Sequence, residues 1–131
     1  MLAKELATSY KVDRLAFNES FDRVLNDPKE VVFIAKNNHN IIGYCLGSIH
    51  ITFYANGDVA WLEELYVKSD YRGLDVGMKL VSTFENWAKQ HHAILITLAT
   101  RRAESFYLTM GYQKSASYFK KQISTSSMRE A

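Results

Sequence analysis

Apolar residues change their repeat several times along this chain, and each change marks an element. Near the start, Leu2, Leu6 and Tyr10 recur four apart, and Phe21-Asp22-Arg23-Val24-Leu25 runs up to Asn26-Asp27-Pro28, where proline stops a helix. Two short helices are predicted over residues 2–25. From Glu30 the repeat falls to two: Val31-Val32-Phe33-Ile34-Ala35 and the run Ile41 to Ile49 flank the polar turn Asn37-Asn38-His39-Asn40, which predicts a hairpin. Ala55-Asn56-Gly57-Asp58 sets off a third strand, Val59 to Val67, and completes an antiparallel meander. Helical spacing returns with Leu80, Val81, Phe84, Trp87 and Ala88 on one face and Lys79, Glu85, Asn86, Lys89 and Gln90 on the other. The nearly uniform apolar run Ala93 to Ala99 predicts a strand covered on both faces, so the third strand, this helix and this strand form a βαβ unit. Ala103, Phe106, Tyr107 and Met110 mark a short helix stopped by Gly111, and Ser115-Ala116-Ser117-Tyr118-Phe119 predicts a returning last strand. Residues 124–131 have too little apolar content to pack, which predicts a disordered tail and leaves residues 1–123 as one α/β domain.

With 131 residues and 47% of them apolar, the chain can bury one core and has little room for two. The formal charge of +2 is small and the cations are scattered apart from Arg101-Arg102 and Lys120-Lys121, so no nucleic-acid-binding stripe is expected. No apolar run reaches the ~20 residues that span a bilayer, and the start lacks a long apolar leader, which predicts a cytoplasmic protein that does not engage the membrane. The single cysteine, Cys45, excludes an internal disulfide and a cysteine-based metal cluster, and its place in a strand pattern reads as a packed thiol. His91-His92 reads as a solvated helix end, because adjacent histidines point apart; no metal is expected.

The candidate chemistry lies where the third strand runs into the second amphipathic stretch, Tyr66-Val67-Lys68-Ser69-Asp70-Tyr71-Arg72-Gly73-Leu74-Asp75-Val76-Gly77-Met78. The first N–H groups of a helix have no partner within it, and the aligned peptide dipoles add about half a positive charge there. Anions bind at such ends. Gly73 and Gly77 permit close approach and positive φ, and Arg72 adds a forked cation suited to phosphate oxygens. A phosphate-bearing cofactor is the functional reading.

A meander, a strand, an Arg/Gly turn and crossover helix, then a strand followed by a helix with Phe106-Tyr107-Leu108-Thr109-Met110-Gly111-Tyr112, resembles the GCN5-related N-acetyltransferase (GNAT) superfamily from about Glu30 to Lys121. Leu62-Glu63-Glu64-Leu65-Tyr66-Val67 with Tyr71-Arg72-Gly73 is locally most similar to its diamine and polyamine branch. The resemblance implies a mixed, mostly antiparallel sheet with helices on both faces, splayed at the βαβ unit where acetyl-CoA binds. It assigns the diphosphate to the backbone from Arg72 through Met78, that is Arg72, Gly73, Leu74, Asp75, Val76, Gly77 and Met78, and the pantetheine arm to Leu65, Tyr66 and Val67. Tyr107 matches the tyrosine placed near the cofactor sulfur, where it returns a proton as the thiolate leaves. The partners implied are acetyl-CoA and an amine acceptor.

Direct transfer needs a neutral amine, whereas an alkylamine with a pKa near ~10.4 is mostly protonated at pH 7, so a base must take its proton. Glu63 is the first candidate by its match to the polyamine-type pattern and Glu64 the second; strand alternation sends them to opposite faces unless a bulge intervenes. An acidic cavity would favour a cationic amine. Tyr10, Asp13, Arg14, Phe17 and Phe21 fall in the region that borders the acceptor pocket in relatives. Three departures stand out. Asp75 occupies the first patterned glycine of the turn, Thr100 replaces a common asparagine, and the first strand of the fold is missing, which leaves a sheet edge that could pair two copies as a homodimer.

Overall fold

A computed structural model describes Ala3 and residues 13–124. Helix α1 (Arg14–Asn26) is followed by strands β1 (Glu30–Asn37), β2 (Asn40–Ile51) and β3 (Asp58–Val67). A single 3₁₀ turn (Ser69–Tyr71) leads to α2 (Val76–Gln90), β4 (Leu95–Leu98) and α3 (Glu104–Thr109). The sheet order is β1-β2-β3-β4, with β3 and β4 parallel and the other pairs antiparallel, as the period changes predict. The earlier helix expected around Leu2, Leu6 and Tyr10 and the tail expected beyond Ser124 lie outside the described residues.

The Asp13 side chain accepts from the Ala16 amide at 2.9 Å and so starts α1; Asn26-Asp27-Pro28 ends it. Only Asp27–Lys29 separate α1 from β1, which makes the helix run back across the sheet. Its partner on the opposite face is α2. Every second residue of β2 beneath α2 is small or compact, namely Gly43, Cys45 and Gly47, and that lets the helix settle close. A Cβ on Gly47 would lie 2.1 Å from the Phe84 ring, and one on Gly43 would lie 2.9 Å from the Tyr66 carbonyl oxygen and 3.3 Å from Leu80. The core is therefore Cys45, Ile49, Ala60 and Leu62 of the sheet under Leu80, Val81, Phe84 and Ala88, with Tyr107 from α3 closing one end.

Two expectations need correction. Residues 115–119 form no strand; they lie exposed and unpaired, because alternation gives a segment strand potential but pairing requires an edge that it reaches. The run from Ala93 contributes only Leu95–Leu98, and Ile94 and Leu95 are 58% and 43% exposed, so β4 is an edge strand and not one covered on both sides.

Candidate active site

Beyond Leu62, β3 loses its neighbour. Its parallel register with β4 runs only from Val59↔Leu95 to Leu62↔Leu98, whereas β3 continues to Val67. On its other side β3 stays paired to β2 as far as Gly43↔Val67. The Lys68 amide donates to Ile42 on that side, so alternation turns the backbone groups of Leu65 and Val67 toward the open edge. A slot results beside β3, open at the backbone of Leu65 and at the Val67 amide, while the Val67 carbonyl is taken by the Arg72 side chain. Tyr66 points to the sheet face opposite α2 and carries the Arg72 guanidinium over its ring at 5.3 Å.

The slot leads to the N-terminus of α2. Among the described residues, the amides of Gly73, Leu74, Asp75, Val76, Gly77 and Met78 have no hydrogen-bond acceptor; the first amide of this stretch to find one is Lys79, bonded to the Asp75 carbonyl at 3.0 Å. Asp75 itself is left-handed (φ 65, ψ 10), the conformation for which a glycine is the usual choice, and its side chain caps nothing. Gly73 is also left-handed, at φ 80. No ion pair among the described residues joins Asp75 to Arg72 or Lys79. Arg72 differs from expectation. Its amide donates to the Ser69 carbonyl at 3.3 Å and its Nε to the Val67 carbonyl at 2.8 Å, so its backbone is not among the free donors and its guanidinium braces the end of β3. The Thr100 hydroxyl accepts from the Ala103 amide at 3.1 Å and so fixes the turn that leads into α3, whose N-cap Ala103 has no side-chain cap.

Tyr107 is buried where α3 meets the sheet, edge-on to Phe106 and Tyr112 at 5.0 and 5.6 Å. Burial, and secondarily Cys45, pushes its hydroxyl up to about 12, so it stays a proton donor at neutral pH. Its hydroxyl has no partner among the described residues. Gly77 comes close to the neighbouring ring, since a Cβ there would lie 3.4 Å from Phe106, which ties α3 to the start of α2.

The two glutamates are separated by a bulge. Leu46 pairs with Glu64 but Gly47 with Leu62, so Glu63 is the extra residue. Glu63 is exposed. Glu64 is thereby turned to the face opposite α2, where the Tyr44 hydroxyl donates to its Oε1 at 2.6 Å. Burial and the neighbouring Glu64 carboxylate push the Tyr44 hydroxyl well above its ordinary range, so it remains a donor. Glu64 lines a cavity of about 770 Å³ between α1 and the sheet, whose wall includes Arg14, Phe17, Phe21, Tyr44, Leu46 and Lys68. Sequence reading anticipated Arg14, Phe17 and Phe21 here, and placed Asp13, which turns out to be the helix cap, beside them. It missed Tyr44, Leu46 and Lys68. The alternation of Tyr44 and Leu46 against Gly43, Cys45 and Gly47 was the available signal: the larger residues must face away from the helix that the small ones admit.

Residues 2–112 match the acetyltransferase (GNAT) family. The chain is 31% identical over 119 residues to the aminoalkylphosphonate N-acetyltransferase of Salmonella typhimurium, covering 86% of this chain and 76% of that protein. Glucosamine-6-phosphate N-acetyltransferase from Arabidopsis thaliana has the same fold, with a TM-score of 0.81 at 20% identity over 94% of this chain and 87% of that one. AAC(6')-Iy in complex with the bisubstrate analogue CoA-S-monomethyl-acetylneamine also shares it, with a TM-score of 0.75 at 18% identity over 92% and 86% of the two chains.

Proposed function

The chain belongs to the acetyltransferase (GNAT) family, and on that premise we propose that it transfers the acetyl group of acetyl-CoA directly to a primary amine of a small molecule or peptide. The observation that carries the reading is the succession of three features along one stretch of chain: a cavity lined by Glu64, the open β3 edge at Leu65 and the Val67 amide, and free amides from Gly73 to Met78. The amides and helix dipole suit a diphosphate. The β3 edge suits an amide-bearing arm, which would add to the sheet as a strand does. In the reaction the amine nitrogen attacks the thioester carbon, the C–S bond breaks, the nitrogen loses a proton to a carboxylate and the departing sulfur gains one from Tyr107. Glu64, held by Tyr44 inside the cavity, suits the base better than Glu63, which is exposed at the bulge.

Release of free thiol from acetyl-CoA with a panel of amines tests transfer. Glu64→Gln and Tyr107→Phe are expected to lower turnover by about a hundredfold with cofactor affinity retained; wild-type rates in both would remove the assigned roles, and a loss confined to Glu63→Gln would move the base to Glu63. A second reading, a CoA-binding module without turnover, is favoured by Asp75 in the phosphate turn. Acetyl-CoA that binds, measured by calorimetry, with no thiol release across the panel would select it. Among the described residues β1 and β4 are both sheet edges, which supports the association of two copies expected from the missing first strand, and a monomer by light scattering at high concentration would remove that part.

A further inference from the structure

The cavity beneath α1 has two chemically different ends. Glu64 of β3 and Lys68, the residue just past its end, line the same cavity four residues apart, about 13 Å along the extended chain. Because α1 turns back over the sheet after the short Asp27–Lys29 link and is 13 residues, about 20 Å, long, its first residue, Arg14, lies toward the Lys68 end. Apart from Ser20 and the Tyr44 hydroxyl, the rest of the described wall is apolar or aromatic, with Phe17, Phe21 and Ile34 along it, Leu46 opposite Glu64 and Ile41 near Lys68. Neither Arg14 nor Lys68 has an ion-pair partner among the described residues, and both are exposed residues of the cavity wall.

This is not the acidic cavity that a diamine would want. A diamine with one nitrogen at Glu64 would hold its second ammonium near two cations, where like charges repel. An acceptor with an amine at one end and an anion at the other satisfies both. We propose that the acceptor is a primary amine bearing a carboxylate, phosphonate or phosphate at the end of a short apolar spacer, with its nitrogen toward Glu64 and its anion clamped by Arg14 and Lys68. The proposal rests on acetyl transfer at this site. Arg14 offers a planar fork that can grip two oxygens, and Lys68 adds a mobile point charge.

The test compares γ-aminobutyrate, δ-aminovalerate and aminopropylphosphonate with the neutral aminopentanol and the dicationic cadaverine. Two readouts are taken: thiol release from acetyl-CoA, and calorimetric binding in the presence of CoA, which needs no turnover. At least one anionic amine is expected to exceed aminopentanol and cadaverine in kcat/KM by about tenfold or more. Lys68→Met and Arg14→Met are each expected to raise KM for that amine and to narrow its advantage over aminopentanol by about tenfold, mainly in KM, with an effect that weakens as salt rises. Cadaverine or aminopentanol as the best acceptor, or variants that slow all amines equally, would overturn the anion clamp and leave transfer standing. Selective binding of an anionic amine without thiol release would support the clamp and overturn transfer. Absence of both binding and turnover for the anionic amines would overturn the clamp.

Discussion

Replacing Asp75 by glycine changes two quantities in opposite compartments of the problem, and they can be measured apart. A left-handed L-residue costs about 1–2 kcal/mol, less for aspartate than for most, while glycine adds about 0.5–1 kcal/mol of unfolded-state entropy. With φ 65 at Asp75, the net effect on folding is therefore a gain of no more than about 1 kcal/mol. The electrostatic change is separate. An aspartate about 7 Å from a bound phosphate charge repels it by about 0.6 kcal/mol at the permittivity of water, and by up to about 2 kcal/mol where water is partly excluded. Since Asp75 is exposed, the lower figure governs, and two phosphate charges give about 1 kcal/mol. Asp75→Gly is expected to tighten acetyl-CoA binding about fivefold by calorimetry at low salt, with the gain shrinking at high salt. Asp75→Asn removes the charge while keeping a residue that tolerates the left-handed region, so it should show the affinity gain with little change in melting temperature. Unchanged or weaker binding in both variants would refute the view that the diphosphate sits on these amides.

Tyr44→Phe deletes the hydroxyl that holds Glu64 at 2.6 Å and is expected to lower kcat about tenfold with acetyl-CoA affinity unchanged; an unaltered kcat would show that the carboxylate needs no such restraint. Gly47→Ala drives a methyl into the fully buried Phe84 ring and should cost about 3 kcal/mol in denaturant unfolding, with Phe84→Leu in the same chain recovering part of the loss; additive losses would contradict the packing. Burial raises the Cys45 thiol from 9.0 to about 11, so above pH 9 the unfolded chain holds fewer protons than the folded one and stability falls as pH climbs toward 11, by about 2–3 kcal/mol. Cys45→Ala should flatten that limb of the stability curve, and a limb unchanged by the substitution would assign it elsewhere. In the folded protein at pH 8, Cys45 should resist alkylation until denaturant is added.

Much of the fold was legible because its signals are local. The changes of period, the Asn-Gly turn before β3, and the glycines flanking Asp75 each act through the backbone within a few residues. They located the hairpin, the βαβ unit and the turn that opens α2. What was not legible depends on pairing between distant segments. Glu63 and Glu64 look like ordinary neighbours on a strand, and only the register against Leu46 and Gly47 shows which one enters the cavity. Lys68 falls within the stretch read for phosphate binding, and only its place at the end of β3 shows that it lines the cavity beneath α1. The segment 115–119 has strand character with no edge to join, and Arg72 has phosphate chemistry that the structure partly spends on the Val67 carbonyl.

The extra residue at Glu63 acts as a phase shift in β3. Upstream, Ala60 and Leu62 meet α2; downstream, Leu65 and Val67 do so, and Glu64 faces the cavity only because the count was advanced by one. Were every residue of β3 to pair one to one without the bulge, the Glu64 carboxylate would lie under Leu80 and Phe84 and Leu65 and Val67 would turn out of the core, whereas deleting Glu63 itself leaves Leu62 opposite Gly47 and Glu64 opposite Leu46, each on the face it already has. Loss of Glu63 should thus be tolerated like a change in the Phe53–Gly57 loop, whereas deletion of Trp61 should put Leu62 on the cavity face and Glu63 under α2, so that a deletion scan read by stability alone would locate the bulge.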